Sequence, residues 1–248
     1  MKTFYITPFE DISKVKINDY ANENPLQIPD KSVGLLFYKE GNIFQKMRNR
    51  DMNHWESVLH NRLLSIQSNF GYAMFYYYRG IPDDEWYISP GDKGQSVQFF
   101  PHFEEKHYSN QYNFSFFADT FFLKAFTVFE TIAHLLYKHY EIEVDESNFL
   151  DKVSFNNALH RMKNIDKSLS DNLFKIKKSS DFKKGVKMRN DIAHNHPPYL
   201  ISSGITLDEK GASYGVGDYT SSTEIKETMI GLLRSIQKTM DVLEKHLS

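Results

Sequence analysis

The chain has 248 residues, no cysteine, 30 lysines and arginines against 32 aspartates and glutamates, and a formal net charge of -2. A chain of this length buries a sizeable core without covalent staples. The missing thiols exclude disulfides, thiolate nucleophiles and cysteine-type zinc sites, and the near-neutral balance gives the chain as a whole no bias toward polyanions.

Residues 1–44 show no clean period: Pro8, Pro25 and Pro29 punctuate short apolar pieces, and Val33–Tyr38 reads as a strand or a buried turn. The N-terminus has no long apolar core before Glu10 and Asp11, so no signal peptide is expected. From about Gln45 to Tyr78, Met47, Trp55, Leu59, Leu63, Ile66 and Phe70 fall mostly at steps of three, four or seven, which predicts an amphipathic helix. Its end, Phe75–Arg79, has two readings, a base-stacking cluster or aromatics closing onto a core.

Between Gly80 and Asn110 the period is lost. Trp86–Ser89 and Val97–Phe100, separated by Pro90-Gly91-Asp92-Lys93-Gly94, read as a small hairpin insertion, and Asp83-Asp84-Glu85 as a solvated turn. Asn113–Tyr140 gives the strongest helical pattern, with Phe114, Phe117, Phe121, Ala125, Val128 and Ile132 on one face. The run is interrupted by Asp119, Lys124, Glu130, His134 and Lys138, so it is not a membrane span; a cytoplasmic protein with no membrane partner is expected. Glu130 lies off the wetter stripe of this helix. It is either a buried carboxylate needing a cation, with Arg189 as one partner, or an exposed one at the bundle edge.

Short helices are predicted at 154–163 and 167–178, and a longer one from Ser179 or Ser180 to His194 or Asn195, where Pro197-Pro198 stops it. Residues 199–220 form a second hairpin-like insertion. Ser221 and Glu224 then supply a capping box for a last helix whose stripe runs from Ile225 through Met229, Leu232 and Ile236 to Leu247. The expected architecture is mainly α, an antiparallel four-helix bundle in one domain over 1–248, with an irregular segment 1–44 packed on it and hairpin insertions at 80–110 and 199–220.

Charge is concentrated just before the stop. From Arg161 to Arg189 there are ten basic residues against three acidic ones, a surplus of seven in a chain whose net charge is -2. This block is either a solvated helical face or an anion-attracting surface, and Lys183, Lys184 and Lys187 are its candidates for substrate binding. It leads into Arg189-Asn190-Asp191-Ile192-Ala193-His194. There a fixed cation that grips phosphate through two parallel hydrogen bonds stands near an imidazole that serves as acid or base near neutral pH. Asn190 and His194 are i and i+4 and share a helix face, so the amide can fix the ring's tautomer. Arg189 and His194 are about 140° apart on an ideal helix, so joining them is expected to need an unwound turn or two chains.

Other constellations are thinner. His194-Asn195-His196 lacks a third metal ligand nearby, Arg48 with His54 reads as surface, and P-loop, dinucleotide and nucleophile-elbow motifs are absent from the sequence. No metal and no cofactor is expected.

The hexapeptide and the helix order resemble the R-N-x-x-x-H signature and bundle of the HEPN superfamily, and the insertion before the last helix resembles a bacterial branch of it. The resemblance implies a homodimer with the motif helices at the interface. It also implies a metal-independent endoribonuclease that uses Arg189, Asn190 and His194 to leave a 2',3'-cyclic phosphate, in a defence, stress or toxin-like setting. RNA is then the expected partner, with protein partners reached through the insertions. The rival expectations are a non-catalytic interaction module and a nucleotide-binding helical pocket.

Overall fold

The long apolar stripes fold as helices. The computed structural model of the chain describes residues 5–28, 41–145, 147–148, 150–208 and 211–247, and it is mainly helical. Its helices are α1 (Ile43–Tyr78), α2 (Glu105–His139), α3 (Phe155–Met162), α4 (Lys167–Lys178), α5 (Ser180–His194) and α6 (Ser222–Leu247). Two antiparallel strand pairs complete it: β1 (Tyr87–Ile88) with β2 (Gln98–Phe99), and β3 (Ile205–Asp208) with β4 (Gly211–Tyr214). The run Val33–Tyr38 lies outside the described residues, as do positions 209 and 210.

Each long helix has a local cause. The Asn42 side chain accepts the Phe44 and Gln45 N–H groups, both at 3.1 Å, and starts α1. Met52, Leu59, Leu63, Ile66 and Phe70 are then buried along one stripe. Gly80 ends α1, because its φ of 101° is the left-handed conformation a helix C-terminus favours. Helix α2 begins eight residues before the apolar period does. Ser109, Asn110 and Asn113 are buried there and use their side chains on backbone groups of other segments, so polar residues occupy core positions without leaving donors stranded.

The chain folds into two compact units, and α1, α2, α5 and α6 contribute residues to both. The first unit holds residues 1–21, 69–122 and 185–229. Its interior is aromatic: Tyr72 stacks on Phe117 with centroids 4.9 Å apart, and Phe70 lies 6.4 Å from Phe121. Each buried phenylalanine contributes roughly 2 kcal/mol. The N-terminal segment is tied on by backbone bonds: Phe9 N–H donates to Asn113 at 2.7 Å, Asn113 donates to Thr7 O at 3.0 Å, and the Tyr76 hydroxyl donates to Glu10 O at 3.0 Å. Half-buried Trp86 packs against Tyr219 at 5.5 Å.

The second unit holds residues 22–68, 123–184 and 230–248. Phe129 contacts Phe155 at 5.1 Å and Phe182 at 5.0 Å, which joins α2, α3 and the start of α5. The Ser154 and Asp166 side chains cap α3 and α4. Trp55 of α1 stacks on His134 of α2, 4.0 Å apart and nearly parallel. Thr131 is fully buried and takes a hydrogen bond from Arg62. The Arg62 guanidinium also donates to Thr127 O at 2.5 Å, so it covers Thr131 from the α1 side.

Candidate functional site

Helix α5 forms because Ser179 accepts the Phe182 N–H at 3.3 Å at its start, and because Phe182, Gly185 and Met188 give it a buried edge at steps of three. It stays helical through His194, and Asn195 N–H still reaches Asp191 O at 3.1 Å before Pro197 and Pro198 end the ladder. Arg189 and Asn190 are half-buried, whereas His194 is exposed.

The structure brings the three motif side chains together within one helix. Arg189 Nη1 donates to Asn190 Oδ1 at 3.0 Å and lies 3.3 Å from His194 Nε2. This corrects the geometric expectation: neither an unwound turn nor a second chain is required to join Arg189 and His194. Five residues rise only about 7.5 Å along a helix. Helical side chains lean toward the N-terminus, which carries the ring back over the preceding turn, and the arginine's length covers the remaining rotation. Because a guanidinium only donates, Nε2 is the acceptor in this arrangement, and the ring proton sits on Nδ1. Arg189 Nε is buried with no hydrogen-bond partner, so the cation keeps an unused donor.

The basic candidates fall differently. Lys187 Nζ pairs with Asp191 at 2.6 Å, and the ammonium holds that carboxyl below the usual range. Lys183 and Lys184 are exposed and belong to the second unit, whereas Lys187 and the motif belong to the first. Glu130 also belongs to the second unit and is exposed; its Oε2 accepts the Phe155 N–H at 3.2 Å, where the start of α3 presents unsatisfied donors. His196 Nε2 lies 3.0 Å from Leu200 O, within the turn that follows α5. Arg48 pairs with Glu141, and His54 packs edge-on against Trp55.

Two carboxylates of the first unit, read from the sequence as part of a solvated turn and as an interruption of an apolar run, have more specific places. Asp83 is fully buried rather than solvated. Its Oδ2 accepts the Tyr219 hydroxyl at 2.6 Å and the Ser222 N–H at 2.9 Å, and its Oδ1 accepts the Ser222 hydroxyl at 2.7 Å. It thus closes the start of α6 alongside Ser221, which accepts the Glu224 N–H at 3.4 Å. Asp119 of α2 accepts the Tyr199 hydroxyl at 2.5 Å on Oδ2, while Oδ1 is buried without a partner. Burial pushes its carboxyl up to about 6, against the opposing pull of the tyrosine hydrogen bond. The available signals were weak: an aspartate interrupting an apolar stripe, and a tyrosine directly after the two prolines.

Among the described residues no helix is long and apolar enough to cross a membrane. A family model described as Cthe2314-like HEPN matches residues 55–244, which takes in α2, the whole of α5 with its motif, and most of α1 and α6. No curated protein and no solved structure matches the chain.

Proposed function

Since the chain belongs to the HEPN superfamily, we propose that it is an RNA-directed protein acting as a metal-independent endoribonuclease, with Arg189, Asn190 and His194 as its working residues. In this reading α1, α2, α5 and α6 form the antiparallel four-helix arrangement of a HEPN domain, and two copies present their α5 ends to one shared cleft. What carries the reading is the pairing of a guanidinium and an imidazole 3.3 Å apart at the exposed end of a helix, with one arginine donor still unused.

The chemistry follows from those groups. When RNA binds, Arg189 turns from Nε2 to the phosphate, and the freed Nε2 lone pair of His194 takes the proton of a ribose 2'-hydroxyl as the O2'–P bond forms. Arg189 holds the phosphoryl oxygens as negative charge builds on them. The P–O5' bond breaks, the 5'-oxygen takes a proton from an imidazolium, and a 2',3'-cyclic phosphate remains. Asn190 steadies the guanidinium from the next position on the same turn. Lys183, Lys184 and Lys187 supply sequence-independent attraction to the backbone.

The test is cleavage of a mixed RNA pool by the purified protein in EDTA, with the 3'-ends identified chemically. Cyclic phosphate ends that disappear in His194→Ala and Arg189→Ala support the reading. Equal cleavage by His194→Ala, or none by the wild type, overturns it. The mutual hydrogen bonds of Arg189 with Asn190 and His194 favour a second reading, a non-catalytic binding module in which these side chains satisfy one another. RNA binding without cleavage, unaffected by His194→Ala, is its signature.

A further inference from the structure

Directly after the motif the chain makes a tight turn, held by backbone bonds and one histidine contact. Leu200 N–H returns to Pro197 O at 3.0 Å, His196 Nε2 lies 3.0 Å from Leu200 O, and Thr220 N–H donates to Pro198 O at 2.8 Å. From this turn Tyr199 reaches Asp119 of α2 at 2.5 Å. Tyr199 is five residues beyond His194, so this bond ties the segment leaving α5 to a neighbouring helix, close in sequence to the exposed end of the motif. The Asp119 carboxylate is held on one oxygen and left without a partner on the other, which is buried. A structural tie gains nothing from a stranded acceptor, which costs about 1–3 kcal/mol where it is not solvated. A buried polar atom left without a partner calls for an explanation beyond packing.

We infer that Asp119 is a positioning residue: through Tyr199 it fixes the turn that leaves α5 and so sets the orientation of the His194 ring. The inference rests on the nuclease reading for its consequence in catalysis, but the coupling it describes exists in the chain whether or not RNA is cut. Among the described residues, Tyr199 is the titratable side chain that meets the carboxylate. Asp119 changes charge near pH 6, and with it the strength of the tie, because a hydrogen bond to a carboxylate is stronger than one to the neutral acid.

The experiment follows the His194 ring by NMR between pH 4.5 and 8.5 in the full chain, for the wild type, Asp119→Asn and Tyr199→Phe. The expected wild-type trace carries an inflection near pH 6 that Asp119→Asn abolishes and Tyr199→Phe attenuates. Asparagine still accepts the Tyr199 hydroxyl, so this variant keeps the tie and loses only its charge; thermal unfolding confirms that it is folded. Superimposable His194 traces in wild type and Asp119→Asn overturn the proposal. If Tyr199→Phe does not fold, Asp119→Asn alone decides. In the cleavage assay Tyr199→Phe, which removes the tie, is expected to lower kcat about tenfold with KM within about twofold, the pattern of lost orientation, and Asp119→Asn, which keeps a weaker tie, is expected to lower kcat less. A wild type that cuts no RNA removes the nuclease reading and leaves the NMR result to judge Asp119.

Discussion

Two helix ends of the first unit are built in opposite ways. At the start of α6, Asp83 is fully buried and accepts three hydrogen bonds, and the Tyr219 hydroxyl that serves it takes another from Gln111 at 2.7 Å. At the end of α5, the ring of His194 is exposed, Arg189 keeps a buried donor without a partner, and Asp119 keeps a buried acceptor without one. Both ends are rich in polar residues. Only the first is closed, and a closed network contributes rigidity while an open one retains capacity for a ligand or a proton. Satisfaction of hydrogen bonds, rather than polarity or burial alone, distinguishes these two ends.

Four outcomes test that contrast. The largest concerns His194→Ala, expected to reduce RNA cleavage about 1,000-fold while moving the unfolding free energy by less than about 0.5 kcal/mol. Parallel activity and urea-denaturation measurements check it; a large stability loss would make the α5 end scaffold after all. Next, Asp83→Ala strands the Tyr219 hydroxyl and the Ser222 N–H, and a loss of about 3 kcal/mol is expected from the midpoint of urea unfolding. A loss below about 1 kcal/mol would break the comparison from the other side.

Asp119→Asn gives a smaller, pH-dependent effect. Burial raises the carboxyl from 3.8 to about 6, so the folded chain binds this proton more tightly than the unfolded one. The associated stability is complete below about pH 4 and is lost as pH rises through 6. Relative to wild type, the asparagine variant should therefore gain on the order of 2 kcal/mol between pH 4 and pH 8. Urea titrations at the two pH values decide it, and an unchanging difference would mean that Oδ1 is solvated. Smallest is Lys183→Ala with Lys184→Ala: stability within about 0.5 kcal/mol, and a salt dependence of RNA affinity shallower by about one unit per lysine removed.

Much of the helical order was legible because apolar steps of three and four survive in the sequence as they do in space. The starts of α3, α4 and α6 follow Ser154, Asp166 and Ser221, whose short side chains reach backbone donors in the first turn. The start of α2 was not legible: Ser109 and Asn110 look like a loop, and only their distant backbone partners make them core residues. Asp83 was misread for the same reason, since its partners lie 136 and 139 residues away. The motif could be located by type and spacing, but its geometry could not, because backbone positions on an ideal helix ignore how far an arginine reaches. Tyr199 and Asp119 are 80 residues apart and carry no pattern at all.

The two tryptophans have a practical consequence. Trp55 lies in the second unit against His134 and Trp86 in the first against Tyr219, so the chain carries one tryptophan per unit. A protonated imidazole quenches an indole stacked on it, and burial with Lys138 and Arg62 nearby holds the His134 proton affinity down. Emission from Trp55 should therefore stay bright well into mildly acidic solution. With Trp55→Phe, the remaining signal reads the surroundings of the Asp83 clamp; with Trp86→Phe, it reads the α1–α2 contact of the second unit. Melting curves of the two single-tryptophan proteins then report by light alone whether one cooperative transition or two dismantles the molecule.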